Sequence, residues 1–382
     1  MRYRIVLLSG MFLFLFFTAC EHNSPHKLGF SGQLSGTYSN LGIQGRNGVL
    51  LALEEINSQA GVRGRKLELI EKNDKNTVVG AIEADKELVD QGVAAIIGHM
   101  TSSQTLGVLP VLKKHNIPLI SPTSSSPLLM NRKDNFFSLN PSSKDYAAAL
   151  GSYAGGRLDI RRAALVYDIK NEVFTLPYAN ELTRVFQNNG GIIDLKLTFS
   201  PDQAARWDSF IDKIEERGIK SVFMIASAED LVHFIDSRNK KGSDIQVLSS
   251  GWAHSRELFS SGEIMMEGVL FISNYNPYST YPGFQDFRKK YYAKYGCEPD
   301  FAAAQGYEAV LFLAEGLRRM PRFEDDLIKA LSSIDRIEGV MGPVEFDEFG
   351  DVRRLFFISH MENRQWMLKD SIQGSELIRN EK

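Results

Sequence analysis

Cysteine is almost missing from this chain of 382 residues, which has two, Cys20 and Cys297. Cys20 ends an export segment, so the mature chain has no pair for an intramolecular disulfide, and Cys297 is expected as a small buried filler. Histidine is sparse too: seven residues, none at metal-ligand spacing, so neither a metal nor a cofactor is expected. Basic charge is in slight deficit, 44 Lys and Arg against 47 Asp and Glu. Without Arg2 and Arg4 of the export segment the balance is 42 to 47, net −5, and no basic run forms a patch, which argues against nucleic acid. After the first twenty residues no apolar run approaches the roughly 20 residues of a membrane span. Neither GxxxxGK[ST] nor GxSxG occurs. Ser102 and Ser103 have no motif-placed histidine, His99 being expected to pack beside a strand end, so the chain does not read as an enzyme.

What is present begins with that export segment. Met1 to Arg4 is positively charged, Ile5 to Phe17 is apolar apart from Ser9 and Gly10, and Thr18 and Ala19 are small. Phe17-Thr18-Ala19-Cys20 resembles the lipobox of bacterial lipoproteins, which implies that Cys20 is acylated. Residues 1–19 are then a signal peptide and 20–26 a lipid-anchored tether, facing the periplasm or cell exterior. An ordinary signal peptide with an incidental cysteine is the alternative.

Beyond the tether, strand and helix signals alternate. Strands are expected at Lys27–Phe30, Leu67–Glu71, Val93–Ile97, Pro118–Ile120 and Asn135–Leu139, then again at Ala163–Tyr167, Ile192–Phe199, Ser221–Ile225, Gln246–Ser249 and Val269–Ile272. Helices separate them, among them Ala81–Gln91, Gln104–His115, Leu176–Asn189, Ala204–Arg217 and Glu229–Lys241. The pattern is α/β: two successive lobes, each a parallel sheet flanked by helices. Helices at Pro282–Tyr295 and Ala302–Arg319 precede a β-rich end, Gly339 to Trp366, that the alternation does not explain.

Two hydroxyl clusters follow consecutive buried strands. Thr101, Ser102 and Ser103 come after Gly98, and Ser121, Thr123, Ser124, Ser125 and Ser126 come after Ile120. Open α/β sheets bind ligands outside the carboxyl ends of their strands, and a helix start there offers N–H groups to a carboxylate or phosphate. Serines at such places also serve as caps and turn residues, so both readings stand on this pattern.

Several segments together resemble the type I periplasmic binding proteins, and in particular the branched-chain amino-acid binding components of ABC transporters. They are Leu34-Ser35-Gly36 to Tyr38, Gly45 to Asn57, Gly61, Gly64, Asp74, Ala95 to Gly98, Ser102, Ile117 to Pro122 and Gly342 to Asp347 with Gly350-Asp351. The resemblance implies two lobes joined by three crossing strands, a two-lobe type I fold. Lobe one would be residues 27–141 and 276–345, and lobe two 142–275 and 346–382. It implies that a small-molecule ligand in the cleft favours closure, and that an ABC permease receives it. Ser102 would hold the ligand carboxylate, with Ser103 beside it. Thr123, Ser124 and Ser125 would meet the ammonium and carboxylate, and Tyr38 would cover the ligand.

Lobe two departs from that pattern. Phe174 stands where the family has a tyrosine, and no acid lies at Ser249 to Trp252, where the family glutamate pairs with the ammonium. Glu229, or Asp230 beside it, is the expected substitute, against the alternative that both complement a helix dipole. Trp252 is expected as an aromatic wall of the cleft or as packing. The leading function is a lipid-anchored substrate-binding component of an importer for an amino acid or related carboxylate. A ligand sensor, or a lipoprotein interaction module without transport role, are the alternatives.

Overall fold

The computed structural model describes residues 24–36, 39–200, 207–255, 258, 266–320, 322, 326–362 and 365–373. In chain order β1 (His26–Gly32), α1 (Ser39–Ser58), β2 (Leu67–Asn73), α2 (Val78–Asp90), β3 (Ala95–Gly98), α3 (Ser102–Lys114), β4 (Leu119–Ser121) and β5 (Phe136–Ser138) alternate. Next come α4 (Ser143–Ser152), β6 (Arg162–Asp168), α5 (Glu172–Asn188), β7 (Ile192–Phe199), α6 (Trp207–Glu216), β8 (Ser221–Ile225), α7 (Ala228–Lys240), β9 (Gln246–Ser250) and β10 (Leu270–Ser273). The chain closes with α8 (Pro282–Tyr295), α9 (Phe301–Arg319), β11 (Arg336–Gly339), β12 (Gly342–Phe346), β13 (Val352–Arg353), β14 (Leu355–Glu362) and β15 (Gln365–Gln373).

The strands form two main sheets. The first runs β2-β1-β3-β4-β5, all parallel. The second runs β15-β14-β10-β9-β8-β6-β7; its middle is parallel, and β14 and β15 add an antiparallel pair at one edge. That pair, with the small sheet β11-β12-β13, is the β-rich end that alternation left unexplained. Parallel strands are buried on both faces, which is why they read as unbroken apolar runs: every residue of β3 and of β8 is buried. Each sheet carries two apolar clusters of its own.

The chain passes between the sheets three times: after β5, after β10 and after β13. Near the first two passages Asn140 Oδ1 accepts from Tyr146 OH at 2.8 Å and from Asn274 Nδ2 at 3.3 Å. At the third, Arg354 is ion-paired with Glu308 of α9, both side chains buried, and Glu308 also accepts the Val340 N–H at 2.9 Å. The loops after β3 and β4 meet lobe two at the start of α5, where Ser103 bonds Asn171 and Ser126 bonds the Val173 carbonyl.

Candidate ligand-binding site

Helix α3 starts earlier than its apolar pattern predicted. Thr101 holds the cap position without a side-chain cap bond, so Ser102 is the first helical residue rather than the cap. Its Oγ instead accepts the N–H groups of Ser125 and Ser126, each at 3.2 Å. Ser102 and Ser125 are buried and line one small inner cavity together with Thr123, whose Oγ1 donates to the Met100 carbonyl at 2.6 Å. Ser124 lies behind this wall and does not line the cavity. Its hydroxyl meets Thr105 Oγ1 at 2.7 Å and the His99 carbonyl at 3.1 Å, and its carbonyl accepts from Ser138 at 3.0 Å.

Lobe two supplies an aromatic side to the same cavity. Helix α5 begins at Glu172, so Phe174 is helical; its ring meets Trp252 edge-on at 5.6 Å and Tyr178, one turn on, at 5.7 Å. Trp252 sits in the short 3-10 turn Gly251–Ala253 that follows β9. Tyr178 and Ser250 also line the cavity; each residue is 1% exposed, and neither the Tyr178 hydroxyl nor Ser250 Oγ has a hydrogen-bond partner among the described residues. No Asp, Glu, Lys, Arg or His occurs among the described lining residues.

A second cavity, outer in that it does not reach Ser102 or Ser125, adjoins it and shares Leu41, Met100, Thr101, Asn171 and Trp252 with it. It is larger, about 250 Å³ against about 40 Å³, and it is charged: Asp74, Asp168, Lys170, Glu229 and Asp230 line it. Glu229 and Asp230 lie in the first turn of α7, whose cap Ser227 accepts the Asp230 N–H. Burial pushes the Asp168 carboxyl up to about 7, with Asp230 adding repulsion against the pull of the Lys170 N–H. Ser103 lines this outer cavity and donates to Asn171 Oδ1 at 3.1 Å, from one lobe to the other.

Beneath the serine loops His99 is wholly buried between two acids, with Nδ1 at 2.8 Å from Asp74 and Nε2 at 3.2 Å from Asp85. Burial by itself would strip its proton, but Asp85 and Asp74 prevail and raise its pKa to about 10. The imidazolium fixes the loop whose carbonyl accepts from Ser121 at 2.7 Å, so it is part of the frame under the site.

The inner cavity thus gathers Ser102, Thr123, Ser125, Phe174 and Trp252, while Ser103 and Glu229 stand in the outer one. Tyr38 and Cys20 lie outside the described residues. Sequence reasoning passed over Asn140, Asp168, Tyr178 and Ser250. Two of these had a signal: Asp168 ends a buried strand, and Tyr178 follows Phe174 by four residues on one helix face.

The periplasmic binding protein family profile matches residues 25–363. Leu/Ile/Val-binding protein homolog 3 of Brucella melitensis is 22% identical over 331 residues, covering 85% of this chain and 88% of that protein. A branched-chain amino-acid transporter substrate-binding protein of Streptococcus pneumoniae, solved with isoleucine, aligns at a TM-score of 0.82 and 21% identity over 91% of this chain and 99% of that one. A solute-binding protein of an ABC transporter from R. palustris, solved with benzoate, aligns at 0.81 and 18% identity over 91% and 96%. At these identities the two solved structures speak to the fold. With the profile spanning nearly all of it, the chain belongs to the periplasmic binding protein family, among the type I members that include the branched-chain amino-acid binders.

Proposed function

We propose that this protein is the lipid-anchored solute-binding component of an ABC importer, and that it captures an amino acid or a related small carboxylate between its lobes. One observation carries the reading: the bonding of Ser102. Because its oxygen accepts two backbone N–H groups, its own proton is left to donate, and the buried Ser125 lines the same cavity. The first turn of α3 adds N–H groups with no helical partner, which suit an anion. Isoleucine and benzoate, bound by the relatives described above, both carry a carboxylate. The lobes are divided at residues 141/142, 275/276 and 353/354, the last moved from the expected 345/346 because Phe346 and Val352 pack with lobe one. Closure follows because the ligand meets both lobes only when they approach.

Hydrogen bonds to a charged group contribute roughly 1.5–3 kcal/mol. Ser102→Ala and Ser125→Ala are each expected to weaken a bound carboxylate by about ten-fold or more in isothermal titration. The ligand-free melting temperature should move little for Ser125→Ala, whereas Ser102→Ala also leaves the Ser125 and Ser126 N–H groups without their acceptor and should lower it by a few degrees. Loss of apo stability with affinity unchanged would make both serines structural instead.

The anchor rests on Cys20. No helix among the described residues is long and apolar enough to cross a membrane. Cys20→Ser should move the protein from the membrane fraction to the soluble one or leave its signal uncleaved. Unchanged fractionation with normal processing would remove the lipid anchor from this proposal.

A further inference from the structure

The two cavities divide the ligand's chemistry between them. A carboxylate held by Ser102 and Ser125 places the group next to it among the residues that line the smaller cavity, and the larger cavity adjoins at Trp252 for the rest of the molecule. The group beside the carboxylate therefore meets a wholly uncharged wall.

On that wall the Tyr178 hydroxyl and Ser250 Oγ are buried and have no partner among the described residues. A buried polar group without a partner costs stability, so two of them on residues that line one cavity point to a ligand group that satisfies both. A hydroxyl can donate and accept, so a ligand hydroxyl or carbonyl oxygen fits the pair. An ammonium fits badly, because its charge would be buried with no opposite charge in the cavity. A second carboxylate fits as badly, because no cation lines the cavity either.

We infer that Tyr178 and Ser250 are specificity-determining residues, and that this protein takes a 2-hydroxy or 2-oxo carboxylate in preference to the matching 2-amino acid. The inference rests on the inner cavity being the carboxylate site, as proposed above.

The test is isothermal titration of the full-length protein with four acids on one carbon skeleton: leucine, 2-hydroxy-4-methylpentanoate, 2-oxo-4-methylpentanoate and 4-methylpentanoate. A second set on the phenylalanine skeleton guards against a poor fit of the side chain. The hydroxy or oxo acid is expected to bind at least ten-fold more tightly than the amino acid of its set. Tyr178→Phe and Ser250→Ala should each reduce that advantage several-fold while leaving the unsubstituted acid unchanged. Tightest binding of the amino acid, or equal losses for every member of a set, would overturn the inference and leave the carboxylate site standing. Binding of no member in either set would overturn both.

Discussion

His99 keeps its proton because two carboxylates outweigh its burial. Its folded pKa, about 10, lies above the ordinary 6.5, so charging it stabilises the fold. That stabilisation is complete below about pH 6.5 and is lost as pH rises towards about 10. Breaking a buried pair by removing one partner costs about 3–5 kcal/mol. His99→Gln should therefore lose stability of that order at pH 6 in urea unfolding, and its deficit should shrink as pH approaches 10. A deficit independent of pH would mean that shape, not charge, holds the triad. Asp168 has the opposite sign. Its carboxyl is raised from 3.8 to about 7, so its ionised form costs stability as pH rises through that interval. Asp168→Asn keeps an oxygen for the Lys170 N–H and removes the charge. Thermal unfolding should find the variant more stable than the parent at pH 8 and not at pH 4. The same gain at both would show that burial of the charge is not the cause.

Helices α1 and α9 approach so closely that two of their contacts admit only glycine. A Cβ on Gly48 would stand 1.9 Å from the Ala303 carbonyl oxygen, and one on Gly306 would stand 2.3 Å from the Gly45 carbonyl oxygen. Relief would need the helices to separate, and overpacking of this kind costs about 1–3 kcal/mol or more. Gly48→Ala or Gly306→Ala should lower the melting temperature by several degrees; an unchanged value would show that the helix pair yields without cost. Element boundaries erred where local signals competed with distant ones. The helix expected from Leu176 starts at Glu172 and takes Pro177 in its second turn. There Pro177 has no N–H to give the Val173 carbonyl.

That carbonyl is taken across the cleft instead. Ser126 Oγ of lobe one donates to the Val173 carbonyl of lobe two at 2.6 Å, beside the Ser103–Asn171 bond at 3.1 Å. The proline thus leaves an acceptor on one lobe for a hydroxyl on the other, next to the two serines of the inner cavity. Ser103→Ala with Ser126→Ala should shift the ligand-free protein towards an open form. Small-angle scattering would see a larger radius of gyration, and ligand affinity should fall by the lost fraction of closed molecules. No change in either would make these bonds incidental to closure.

The sequence by itself determined the α/β class, the order of the strands along the chain and the end of the sheets where a site would form. Buried parallel strands must be apolar on both faces, and the turns after them must be polar, so both are written locally. The resemblance named Ser102 and Ser125 from two loops that the structure brings together. Which hydroxyl faces what was decided only by the tertiary structure. Ser102 and Ser125 turn into the inner cavity, Ser103 and Ser126 turn to lobe two, and Ser124 turns into the frame, although all five are serines in two short loops. Their partners lie tens of residues away, and nothing within a loop records them. The division of charge was equally hidden. Glu229, Asp230 and Asp168 belong to the outer cavity and none to the inner one, because strand ends far apart in sequence converge there only when two sheets meet.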